Sequence, residues 1–210
     1  MVCKCDTLYL KIGIDKIDLI MRKFAKPTVV LSRCIEVDPC RYNGLKIASD
    51  FVKKLIPHIN LIPVCPEVEI GLGTPRDALR IVMKEDKMKL IQPKTGFDFT
   101  QKMEDFSSSF LQSLSGVDGF ILKGRSPTSA IRDAKIHSGP NHGAALRGKG
   151  PGFFGKAVLE RFSHLAIEDE GRLRNPNPTI FFLSLLKIIK EDISIMQRTH
   201  RGDLSVFQMF

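Results

Sequence analysis

Long apolar runs are missing from this chain. The longest, Ile180–Ile189, covers ten residues and is interrupted by Ser184 and Lys187, whereas a helix that crosses a bilayer needs roughly 20. The N-terminus, MVCKCDTLYLKIGID, alternates apolar and polar residues and has no continuous apolar segment of the secretory kind. The expectation is therefore a cytoplasmic protein with no membrane attachment. Histidines with metal-site spacing are missing too: His58, His137, His142, His164 and His200 are scattered. There is no internal repeat and no low-complexity tract. The cysteines (Cys3, Cys5, Cys34, Cys40 and Cys65) are odd in number and confined to the first third. Without a secretory context that pattern argues against a disulfide framework and leaves reduced thiols or metal ligation.

Acidic residues are in short supply. Thirty-two Lys and Arg face 23 Asp and Glu, a formal charge of +9. Between residues 123 and 156 seven basic residues face one acid, Asp133. Such an excess points to an anionic partner (nucleotide, phosphate or RNA) or to a solvated basic surface, and says nothing about fold. The 210 residues, 43% hydrophobic and 26% charged, suit one sizeable soluble domain with an appendage.

The apolar pattern predicts an α/β fold. Residues 7–24 read as a strand and a short helix, ended by Pro27, so 1–26 is an N-terminal extension. Thr28–Ser32 (TVVLS) is a β-branched run of the kind buried on both faces of a sheet. Residues 48–59 place Phe51, Val52, Leu55 and Ile59 on one helical face, and Asn60–Val64 (NLIPV) reads as a second strand. Strand, helix and strand form a βαβ unit, which implies a Rossmann-like open parallel sheet with flanking helices. Residues 79–92 predict a hairpin around Glu85-Asp86-Lys87. A helix follows over 99–115, with Gly116 just past its end, then a third strand, Val117–Leu122. Another helix begins near Phe153, and after Asn175 two prolines open an irregular helical tail.

Three loops then fall at the carboxyl ends of predicted parallel strands: 32–44, 64–77 and 122–133. Ligands of open α/β sheets bind there. Cys34 and Cys65 open two of the loops on neighbouring strand ends, close enough to share a soft metal or to form a thiol site. A zinc site from Cys34, Cys40, Cys65 and a histidine is a further option. Lys123 and Arg125 add positive potential in the third loop.

The same loops resemble the signature of the thiouracil desulfurase family, once known only as a domain of unknown function. The resemblance rests on Cys34 with Arg41-Tyr42-Asn43-Gly44, Cys65-Pro66-Glu67, Gly71-Leu72 and Pro75-Arg76. Thr95-Gly96 with Asp98 and Thr100, and Leu122-Lys123 with Ser126-Pro127, continue it in order, over about Lys26 to Arg174. It implies a 4Fe–4S cluster held by three cysteines, whose open iron takes sulfur from a thiolated nucleobase. Cys34 and Cys65 match two of the ligand positions. At the third the family reads Ser-Pro-Ser-Cys-Gly, and this chain reads Ser126-Pro127-Thr128-Ser129-Ala130. A serine hydroxyl is a harder ligand of far higher pKa than a thiol, and Cys40 is the candidate replacement.

Other matched residues have two readings. Glu67 orients a water or accepts a base N–H, or it caps a turn. Ser126 hydrogen-bonds substrate, or Ser-Pro marks a turn. Asp98 and Thr100 favour helix capping. Arg76 binds an anion or forms a structural ion pair. GRLRN (171–175) resembles the junction to a helical second domain often fused to this family, so residues 27–170 are expected to form the desulfurase-like domain. Residues 171–210 are then a truncated or divergent helical segment. Two functions follow: a cluster-dependent desulfurase, with the status of enzyme resting on residue 129, or a non-catalytic module that binds a nucleobase, nucleotide or RNA.

Overall fold

The computed structural model of the protein describes residues 26–186. The expected strand and helix within 7–24, with Cys3 and Cys5, and the tail from residue 187 onward, lie outside the described residues. The strands are β1 (Thr28–Ser32), β2 (Asn60–Val64), β3 (Arg80–Lys84), β4 (Lys87–Ile91), β5 (Gly119–Leu122), β6 (Ala134–His137), β7 (Leu146–Gly150) and β8 (Ala166–Asp169). The helices are α1 (Asp50–Leu55), α2 (Pro66–Glu69), α3 (Thr100–Ser113), α4 (Phe153–Phe162) and α5 (Pro176–Leu185).

The expected parallel sheet is present, in the order β2-β1-β5-β8 with every pair parallel. Its central strands are apolar because both faces are covered. Val29 and Leu31 point into one core with Val52 and Leu55 of α1 and Phe182 and Leu183 of α5. Val30, Phe120 and Leu122 point into the other, with Met103 and Leu111 of α3 and Phe154 and Val158 of α4. Burying a side chain of this size contributes about 1.5–3 kcal/mol. The helix expected over 48–59 is shorter than its apolar pattern: Ser49 caps α1, and Pro57 falls in a 3₁₀ turn, Ile56–His58, that ends it.

A second, mixed sheet, ordered β4-β3-β6-β7, packs its inner face on the core that holds α3 and α4. The expected hairpin supplies β3 and β4, and Glu85 and Asp86 take positive φ at its two-residue turn (48° and 58°), the geometry that matches strand twist. Strands β6, β7 and β8 are additions to the sequence reading. Their residues (AKIH, LRGKG, AIED) are rich in glycine and charge, which are depleted in strands, and neighbouring strands impose the extended conformation. The tail after Asn175 begins with α5, whose Pro176 and Pro178 fall in the first turn, where a missing N–H costs nothing. Leu173, Phe182, Leu183 and Leu186 are buried in the core shared with Val29 and Leu31.

Candidate functional site

The carboxyl ends of β1, β2 and β5 feed the three loops, and cross-links between the loops fix one cavity of about 400 Å³. Arg33 N–H bonds the Val64 carbonyl at 2.8 Å, and Lys123 N–H donates to Ser32 Oγ at 2.9 Å. The first loop is closed on itself by Ile47 N–H to the Cys34 carbonyl at 2.8 Å. Cys34, Cys40, Cys65, Glu67, Ser126 and Ser129 all line this cavity, so the structure brings together every site residue expected from sequence. The histidines among the described residues are elsewhere.

The three thiols are buried and act on one another. A hydrogen bond to Cys40, together with burial, pushes the Cys34 thiol well up. The same hydrogen bond draws the Cys40 thiol down to about 6, against its burial and with help from Arg33 and Cys65. Of the pair, Cys40 is thus the easier to deprotonate and Cys34 the harder. Burial raises Cys65 to about 11, although the Val68 N–H favours its thiolate. Cys65 also caps α2 and directs its Sγ to the Cys40 carbonyl at 3.7 Å.

Beside the thiols runs a chain of polar contacts. Arg76 donates from Nε to Glu67 Oε2 at 2.8 Å and from Nη1 to the Cys40 carbonyl at 3.0 Å, while its Nη2 lies 3.9 Å from Cys65 Sγ. Thr128 Oγ1 donates to the other Glu67 oxygen at 3.0 Å. A hydroxyl that donates to a carboxylate must accept from its remaining neighbour. Ser126 Oγ, 2.9 Å from Thr128 Oγ1, is therefore the donor in a relay from Ser126 through Thr128 to Glu67. Ser126 Oγ also accepts the N–H groups of Thr128 and Ser129, at 3.2 and 3.1 Å. The turn reading of Ser126 describes these contacts, and the same atom opens the relay.

The third loop is seated on the N-terminus of α4. Phe153 N–H bonds the Pro127 carbonyl at 3.2 Å and Gly155 N–H bonds the Thr128 carbonyl at 3.0 Å, which satisfies donors that a helix start otherwise leaves free. Only glycine fits here. A Cβ at Gly155 would collide with the Ala130 carbonyl, and one at Gly152 would come within 2.7 Å of Thr128 and Pro127 backbone atoms. On the other side Glu170 takes the Lys123 ammonium and the Gly124 N–H. Arg125 holds a positive φ of 60°, fixed by its N–H to Asp133 Oδ1 at 2.6 Å. Arg41, stacked 5.7 Å over the Tyr42 ring, and Arg125 line the cavity without an ion pair among the described residues.

A sequence profile described as 2-thiouracil desulfurase matches residues 29–170. The chain belongs to that family. An uncharacterised protein of Bacillus subtilis (strain 168), YbbK, is 28% identical over 129 residues, 58% of this chain and 84% of the relative. The fold is shared with the solved structure of TudS, a [4Fe-4S]-dependent thiouracil desulfidase, at a TM-score of 0.56. That match has 23% identity and covers 76% of this chain and 99% of the other.

Donor chemistry tests whether a cluster suits this chain. Among the described residues no three His, Cys, Asp or Glu side chains are grouped to hold a metal ion. Three thiols nevertheless line one cavity, with Arg33, Arg76 and Lys123 acting on their charge. Thiols spread over a cavity wall suit an iron–sulfur cluster, whose ligands give up their protons on binding and hold separate irons. At position 129 the chain offers an oxygen, 4% exposed, 3.5 Å from Thr128 Oγ1.

Sequence reasoning missed the Glu67–Thr128 contact, the Glu170 anchor and the glycine seat of the third loop. The run Glu168-Asp169-Glu170 was a usable signal. Three buried acids in succession at a strand end require cationic partners, and the structure supplies Arg132, Arg172 and Lys123.

Proposed function

We propose that this cavity is the active site of a cytoplasmic desulfurase acting on a thiolated nucleobase. Cys34 and Cys65 would hold a 4Fe–4S cluster, with Cys40, rather than the oxygen of Ser129, as the third thiolate. The observation that carries the reading is the convergence of these three thiols on the cavity wall that also presents Glu67. When bound, the cluster would supply a soft Lewis acid for the thiocarbonyl sulfur.

The rest is the work of this chain. Arg76 fixes the Glu67 carboxylate, whose remaining acceptor capacity meets a ring N–H of the base or orients the attacking water. The Ser126–Thr128 hydroxyl pair gives that proton a defined route to Glu67. Arg41 and Arg125 favour a substrate with an anionic end, such as a nucleotide. Water replaces sulfur at the carbon, so the products are the oxo-base and sulfide, with no change in the oxidation state of the base.

A second reading draws on Ser129: without a third ligand the cavity is a binding module for a nucleobase, nucleotide or RNA. Anaerobic reconstitution with iron and sulfide, followed by incubation with 2-thiouracil, separates the two. Release of uracil and sulfide in equal amounts, abolished in Cys65→Ala, supports the enzyme. Binding of the base with no turnover in reconstituted protein supports the module.

A further inference from the structure

The second sheet has an outer face that the desulfurase reading does not use. On β3 the core residue Ile81 alternates with Arg80, Val82 and Lys84, so the last three point away from the core. The register extends that face to the other strands. Val82 faces Lys89, Lys84 faces Lys87, and on β6 and β7 Lys135 faces Lys149. Six cations therefore share one face, and none of the four strands contributes a carboxylate to it. Lys89 is paired with Asp98 at 3.5 Å; the other five make no ion pair among the described residues. Glu85 and Asp86 lie at the hairpin turn, at one end of the face.

Two of the cross-strand pairs, Lys84–Lys87 and Lys135–Lys149, set like charges directly opposite each other, an arrangement that weakens a sheet. Lysine is also a poor strand former. Lys89 gains its ion pair, Arg80 donates to the Pro140 and Asn141 carbonyls, and lysines on the edge strands β4 and β7 deter edge-to-edge pairing. The two like-charged pairs gain nothing from the fold, and their placement suits an anionic occupant. Cations on adjacent strands stand about 4.8 Å apart, and the polyanion with charge that dense is a nucleic-acid backbone, with one charge per roughly 3.4 Å of each duplex strand. The apolar residues of the face are Val82, which is buried, and Ile91, half-buried, with Leu146 exposed at one end. That is too little to enter lipid.

We propose that the outer face of the β4-β3-β6-β7 sheet binds the phosphate backbone of RNA. The surface acts independently of the chemistry in the cavity, and contacts phosphates rather than bases because its one ring, His137 beside Val82, is half-buried. The test is fluorescence anisotropy of the full-length protein with a labelled 20-nucleotide RNA at several salt concentrations. Affinity is expected to fall with salt, and the slope of log K against log salt to become shallower by about 1.4 in the double variant Lys135→Gln/Lys149→Gln. Lys53→Gln/Lys54→Gln, which removes the same charge from exposed positions of α1, is expected to keep the full slope. Thermal unfolding of the Lys135→Gln/Lys149→Gln protein should be no lower than wild type, since a repulsive pair is gone. Absent or salt-independent binding, equal losses in both double variants, or tighter binding to phosphatidylserine vesicles than to RNA would overturn the assignment.

Discussion

Arg76 Nε stands 2.8 Å from Glu67 Oε2, and both side chains are nearly enclosed, at 6% and 10% exposure. Removing one partner of such a pair leaves the other charge buried and alone, which costs about 3–5 kcal/mol. Arg76→Ala is therefore expected to lower stability to urea by that order. Arg76→Lys should recover part of it, without the contact to the Cys40 carbonyl. A loss below about 1 kcal/mol in Arg76→Ala would show that the pair is solvated and that Glu67 is not fixed by it.

Gly155 is a helical glycine whose replacement should act against propensity. At an ordinary helix site Gly→Ala gains about 1 kcal/mol. Here the added methyl meets the Ala130 carbonyl carbon at 2.8 Å and the Ser129 carbonyl oxygen at 2.9 Å, so the third loop must move. Gly155→Ala is expected to lower the thermal midpoint and to weaken nucleobase binding. An unchanged midpoint would mean that the loop is not seated on α4 as described.

Asp98 supplies a pH-dependent contribution. Burial tends to raise its pKa, but hydrogen bonds from the Thr100 hydroxyl and N–H, with Lys89 nearby, hold it below its usual value of 3.8. A depressed acid stabilises the fold above its unfolded pKa, and that contribution disappears as pH falls through the lower folded value. Asp98→Ala should thus lower stability at neutral pH by less than about 1 kcal/mol, because the side chain is 42% exposed and solvent screens its contacts. The gap between variant and wild type should stay level down to pH of about 4 and narrow below it. A gap that widens on acidification would contradict the contact.

Much of this arrangement was legible in sequence, for physical reasons. The apolar runs TVVLS and NLIPV specify central parallel strands whatever surrounds them. Cysteines placed just after such strands must meet at the carboxyl edge. The second sheet was hidden because β7 reads LRGKG, and only its neighbours in space make it a strand. The Thr128–Glu67 bond joins residues 61 positions apart, and no local pattern announces it. Cys40 is intermediate. Its type suggested a ligand, but its place as the most acidic of the three thiols depends on Cys34, Arg33 and Cys65 closing around it.

That acidity is measurable in metal-free protein. Alkylation of Cys40 by iodoacetamide, followed by mass spectrometry, is expected to be half-maximal near pH 6. Cys34 should react slowly across the same range. In Cys34→Ala the Cys40 midpoint should move up toward the ordinary thiol value of about 8.5, because the hydrogen bond is lost. Three thiols with midpoints near that ordinary value would contradict the coupling.

The most direct test is the iron content of the full-length protein after anaerobic reconstitution with iron and sulfide, compared with Cys40→Ala and Ser129→Cys. About four irons per chain are expected in wild type, with most lost in Cys40→Ala and full retention restored in the double variant Cys40→Ala/Ser129→Cys. Wild-type protein that retains no iron, or a Cys40→Ala protein that keeps all of it, would contradict the three-thiol site.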